Sequence, residues 1–160
     1  MRDSILVVDD DTRLATALVM RLRAAGYNAA HAACGRAGIL CAEQMRPSAI
    51  VLDIRLPDME GFQVCESIRK IPSLHDTPIV FVSANSTQSH RARANAAGGT
   101  AFFAKPCPAS LLLETIRRLC DARQEASAAT GSSEQPSGRE SVADPNQTTR
   151  TRSSFNVQQP

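Results

Sequence analysis

Five short apolar runs recur along the chain, and each is followed by a stretch whose apolar residues fall at helical spacing. The runs cover residues 5–8, 28–32, 49–52, 79–82 and 101–104. The first, third and fourth are unbroken and rich in Val, Ile or Leu, as strands covered on both faces are. Residues 28–32 include His31 and small side chains, which suits a strand at a sheet edge. Between the runs, Thr12 is placed to cap a helix on which Leu14, Leu18 and Leu22 recur every four residues, with Gly26 at its end. Ile39 and Leu40 anchor a second helix over residues 35–45, stopped by Pro47, and Phe62, Val64, Cys65 and Ile68 a third that ends before Pro72. Ser86 is placed to cap a fourth, closed by Gly98 and Gly99. The fifth starts near Pro108 and carries Leu111, Leu112, Ile116 and Leu119. Strands alternating with helices at this pitch predict an α/β protein, a (βα)5 doubly wound parallel sheet.

The pattern stops near Ala122. Residues 123–160 are Ser, Thr, Gln, Gly, Pro and charge, with Val142, Phe155 and Val157 as their large apolar side chains. Such a composition buries too little surface to offset the entropy of ordering, so a folded domain over 1–122 and a disordered tail over 123–160 are expected. Composition otherwise excludes more than it suggests. Apolar residues make up 42% and charged residues 21%, and the net charge of +2 points neither to nucleic acid nor to a membrane surface. No apolar run approaches the roughly 20 residues of a membrane span, and the start of the chain does not read as a signal peptide. Cys34, Cys41, Cys65, Cys107 and Cys120 are scattered without zinc-like spacing and read as reduced thiols of a cytoplasmic protein.

Candidate chemistry lies where polar residues close the strands. Asp9, Asp10 and Asp11 follow the first run, Asp53 the third, Ser83 the fourth and Lys105 the fifth. Strand ends of an open parallel sheet share one rim, where ligands bind. Carboxylates brought together there repel one another unless a cation lies between them, and oxygen ligands of this kind suit Mg²⁺. Lys105 offers a positive charge and Ser83 a hydroxyl for phosphoryl oxygens, and a carboxylate can itself be the nucleophile. Each residue alone has a plainer role: Asp10 or Asp11 as a helix cap, Asp53 in a turn, Lys105 on the surface. Together they predict Mg²⁺-assisted phosphoryl transfer to an aspartate and hydrolysis from it.

The same residues carry a family resemblance. Residues 5–11, Ile-Leu-Val-Val-Asp-Asp-Asp, resemble the opening of response-regulator receiver domains, and residues 51–62 around Asp53 resemble their phosphorylation segment. Residues 79–84, ending Ser83-Ala84, and residues 102–106, ending Lys105-Pro106, resemble their fourth and fifth strands. The resemblance implies a flavodoxin-like strand order 2-1-3-4-5 and a phosphoacceptor switch of a two-component or phosphorelay system, rather than an enzyme. It makes Asp53 the phosphoacceptor, with Mg²⁺ held by Asp10, Asp53 and the Arg55 carbonyl, and Asp9 acting mainly through water. Lys105 pairs with a phosphoryl oxygen, Ser83 and Phe102 switch, and the bond before Pro106 is cis. Implied partners are a sensor histidine kinase or phosphotransfer protein and a downstream protein docking on the fourth helix, fifth strand and fifth helix, with a homodimer as an option. No membrane and no direct DNA contact are expected. A haloacid-dehalogenase-like phosphatase also uses an aspartyl nucleophile, but needs a second acid where Arg55 stands. Cys107 departs from the large apolar residue usual after Lys-Pro.

Overall fold

The computed structural model describes residues 2–130. Five parallel strands lie in the order β2-β1-β3-β4-β5. They are β1 (Ser4–Val8), β2 (Asn28–Ala32), β3 (Ala49–Leu52), β4 (Ile79–Ser83) and β5 (Ala101–Ala104). The helices between and after them are α1 (Thr12–Ala24), α2 (Gly35–Met45), α3 (Gly61–Arg69), α4 (Gln88–Ala96) and α5 (Ala109–Thr130), with a 3₁₀ turn at Pro72–Leu74. The two strands that are least buried, β2 and β5, are the edges. Register is tight at the centre: Ile5 pairs with Ala49 and Val8 with Leu52, while Ile50 pairs with Ile79.

Alternation along unbroken apolar strands divides the core in two. Leu6, Val8, Ile50, Leu52, Ile79 and Phe81 face α2, α3 and α4, meeting Ala42, Phe62, Val64, Cys65, Ile68 and Ala94. Ile5, Val7, Val51, Val80 and Val82 face α1 and α5, meeting Ala15, Val19, Leu22, Leu112, Ile116 and Cys120. Every residue of β1 after Ser4, and every residue of β3 and β4, is buried. The chain reverses its strand order between β1 and β3, so the loops after these two strands diverge and leave a crevice at their carboxyl ends.

At α1 the structure chooses among the candidate caps, and at α4 it takes the residue next to the expected one. Asp11, not Thr12, caps α1, accepting the N–H groups of Arg13 and Leu14. Thr87, not Ser86, caps α4 through the His90 N–H. The larger difference is at α5, which runs to Thr130, past the expected boundary at 122. Arg123 holds the extension by donating to the carbonyls of Pro47 and Ser48, and Gln124 by donating to Asp3 Oδ2 at 2.9 Å. Of the tail expected over 123–160, residues 131–160 lie outside the described residues. Among the described residues, no helix is long and apolar enough to cross a membrane.

Candidate functional site

The strand ladders continue past their ends and deliver the polar residues to one place. The Asp53 N–H donates to the Val8 carbonyl at 2.9 Å, which sets the first residue after β3 beside the first residues after β1. The Lys105 N–H donates to the Ser83 carbonyl at 2.9 Å and brings the lysine across from β5. One carboxylate oxygen each from Asp9, Asp10 and Asp53 consequently falls within 4.8 Å of the others. Lys105 Nζ lies 2.7 Å from Asp9 Oδ2 and 3.6 Å from Asp53 Oδ2.

The three carboxylates are not equivalent. Asp9 is 8% and Asp53 7% exposed, whereas Asp10 is open to solvent. Both oxygens of Asp9 are engaged, Oδ1 by the Asp11 N–H at 2.9 Å and Oδ2 by Lys105. Asp53 Oδ1 accepts the Ile54 N–H at 2.8 Å, and Oδ2 faces Lys105 at the longer distance. Burial pushes the Asp53 carboxyl above its ordinary range; Lys105 opposes this, Asp9 adds to it, and the N–H groups of Ile54 and Arg55 oppose it. Burial alone would lower the Lys105 ammonium, but bonding and attraction to Asp9 and Asp53 outweigh it and hold the pKa above the usual value. One cation among three carboxylates leaves the cluster net negative. It fits a hard divalent ion with oxygen ligands, reached from the open side at Asp10.

The remaining expected residues take distinct places. Ser83 is 1% exposed at the end of β4, and its Oγ accepts the Asn85 N–H at 3.2 Å. Arg55 is exposed on the turn after Asp53 and forms a backbone bridge with Glu60. Gly61 closes that turn: its N–H donates to the Ile54 carbonyl at 2.7 Å, and a Cβ there would overlap the Asp53 carbonyl oxygen. Phe102 is half-buried away from the acids, its ring 6.5 Å from that of Phe81 and covered by the Arg91 guanidinium at 4.7 Å. The Lys105–Pro106 peptide is cis. A cleft of about 500 Å³ between α1 and α5 is lined by Asp9 and Lys105 but by neither Asp10 nor Asp53, so it borders the site only on the side of Asp9. Sequence reasoning missed two residues: His31, whose Nε2 donates to the Asp9 carbonyl at 2.8 Å, and Asp58, which bonds to α2.

Comparison with known proteins places this geometry. Residues 5–117 match the response regulator receiver domain, and the chain belongs to that family. It is 35% identical to the transcriptional regulatory protein PrrA of Mycobacterium tuberculosis over 81% of this chain and 54% of that protein. It is 30% identical to the DNA-binding dual master transcriptional regulator RpaA of Synechocystis over 72% of this chain and 48% of that protein. Among solved structures, the receiver domain of a Pseudomonas aeruginosa sensor histidine kinase, with magnesium coordinated in its active-site cleft, is 30% identical. It matches with a TM-score of 0.70 over 76% of this chain and 99% of that one.

The chain spans about half the length of the curated relatives it matches. This overturns the expectation of no direct DNA contact. That expectation was drawn from the near-neutral charge of residues that span only part of the relatives' length, whereas the relatives are transcriptional regulators, RpaA a DNA-binding one. The exclusion of DNA does not stand.

Proposed function

We propose that this receiver accepts a phosphoryl group on Asp53 and uses the modification to switch a protein surface. The observation that carries the proposal is Asp53 itself: a buried carboxylate with one oxygen tied to a backbone N–H and the other facing Lys105, beside two further acids. An Asp53 oxygen attacks the phosphorus of a donor such as acetyl phosphate. The new O–P bond forms as the bond to acetate breaks, and acetate leaves with the electron pair. Hydrolysis returns the carboxylate when a water oxygen takes the phosphorus.

Lys105 moves little in this reading, since 3.6 Å already separates it from Asp53 Oδ2, and it neutralises a phosphoryl oxygen. Mg²⁺ would be held by Asp10, Asp53 and the Arg55 carbonyl, supplying positive charge to the transferring phosphoryl oxygens. Asp9, with both oxygens taken, acts mainly through water. The Ser83 hydroxyl turns from the Asn85 N–H towards the phosphoryl group, and Phe102 follows it. The switch thereby passes to the surface of α4, β5 and α5.

Incubation with acetyl phosphate and Mg²⁺ followed by intact-mass measurement tests this. The mass should rise by one phosphoryl group, and Asp53→Asn should abolish the rise. Stoichiometric labelling of the variant would place the acceptor elsewhere.

A further inference from the structure

The turn between β3 and α3 is anchored to a part of the molecule with which it shares no sequence neighbourhood. The first N–H groups of a helix lack partners within it, and a side chain at the cap position usually supplies one. At α2 the cap residue is Cys34, which makes no such bond. Instead Asp58, from the turn after the phosphoacceptor, spans both donors: Oδ1 accepts the Gly35 N–H at 2.7 Å and Oδ2 the Arg36 N–H at 2.8 Å. Met59 reinforces the junction. Its side chain fills the space a Cβ at Gly35 would need, together with Val64, so the turn and the helix meet with nothing between them.

We propose that Asp58 is a positioning residue for the acidic site, holding the turn that carries the Arg55 carbonyl and so setting metal affinity. The inference rests on the metal reading given under Proposed function. Residues 54 and 61 fix the base of the turn through the Gly61 N–H and the Ile54 carbonyl, and Arg55 and Glu60 bridge just above it. Asp58 lies at the tip. With the tip tied to α2, the turn is held at both ends; without the two Asp58 bonds its outer part keeps only the Met59 packing and the Glu60–Arg93 ion pair, and the carbonyl at 55 samples more positions. A carbonyl that must meet an ion at a fixed distance loses affinity when its support moves, and lost outer partners of metal ligands cost about 10–100-fold. Asp58 does not touch the acids, so its effect is expected at the low end, about tenfold.

The test separates positioning from mere capping of α2. Mg²⁺ is titrated into the full chain, followed by amide chemical shifts, for wild type, Asp58→Ala, Asp58→Asn, Gly35→Ala and Arg123→Ala. Asp58→Ala should weaken Mg²⁺ about tenfold. Asp58→Asn should recover part of the loss, because its amide oxygen still accepts one N–H. Gly35→Ala displaces Met59 and should also weaken the ion, with a double variant losing less than the sum. Arg123→Ala cuts a tie to the carbonyls of Pro47 and Ser48 at the opposite rim, so it should lose stability yet keep its affinity. Wild-type affinity in Asp58→Ala would overturn the positioning role while leaving the metal reading intact. A wild type that binds no Mg²⁺ would remove the metal reading and the proposal with it.

Discussion

Burial and the Lys105 charge pull Asp53 in opposite directions, and burial, helped by Asp9, wins. A carboxyl held above its ordinary value of 3.8 binds its proton more tightly folded than unfolded. Its contribution to stability is therefore fully present below that value and is lost as pH rises through the raised one. At neutral pH and without Mg²⁺ the domain bears the cost of a buried charge, and Asp53→Asn removes it. The variant should melt a few degrees higher at pH 7.5, a gap that closes near pH 3.5, and thermal melts at the two pH values check this. A lower melting temperature at pH 7.5 would show that attraction to Lys105 outweighs burial. A second prediction concerns hydrolysis. Arg55 is exposed beside the acids, where its guanidinium can shield phosphoryl oxygens, and neutral Asn85 cannot orient a water as a base would. Arg55→Ala and Asn85→Glu should each shorten the lifetime of the acyl phosphate, followed by mass; unchanged decay in both would place its control elsewhere. The acids, Ser83 and Lys105 were legible in the sequence because each ends an apolar run. His31 and Asp58 were not, since each bonds to a backbone group more than twenty residues away and no periodicity marks the pairing.

Among the elements, strands were read more sharply than their junctions. Unbroken apolar runs have few alternatives to a strand covered on both faces. Caps depend on which of two adjacent oxygens reaches an N–H, which residue type alone does not decide; Asp11 took the place expected for Thr12. Junctions made by long side chains are less legible still. Arg69, the last residue of α3, donates from Nε and Nη2 to the Gly98 carbonyl at 3.0 and 2.7 Å. Its Nη1 donates to the carbonyls of Leu74 and Thr77 at 3.2 and 2.8 Å. One guanidinium thus ties α3 to the loops entering β4 and β5. Arg69→Ala leaves three carbonyls without this donor and should cost about 2–3 kcal/mol in urea denaturation. Arg69→Lys should recover only part, because an ammonium cannot reproduce the planar fork. A cost below about 0.5 kcal/mol, the size of an ordinary surface change, would mean that water replaces the bonds.

At the scale of the whole molecule, composition and structure disagree about where the domain ends. The last buried side chain of α5 is Cys120, and beyond it the chain resembles the polar residues that follow, which is why composition draws the line at 122. Two effects carry the helix further. Ala, Arg, Gln and Glu are good helix formers, so propensity does not oppose continuation. Arg123 and Gln124 then reach back to the opposite rim from the acidic site: Arg123 to the carbonyls of Pro47 and Ser48, Gln124 to Asp3, which also accepts the Ser48 hydroxyl at 2.7 Å. The segments entering β1 and β3 are clasped by the end of α5 at the rim opposite the acids. These are the two strands whose other ends carry Asp9 and Asp53, but the clasp lies at their far ends, so it bears on the stability of the fold and not on the site. A chain ending at Ala122 loses these bonds and a chain ending at Gln124 keeps them. The shorter chain should be about 1–2 kcal/mol less stable and melt several degrees lower. Equal melting temperatures would show that Arg123 and Gln124 hold nothing, and would return the boundary to where composition places it.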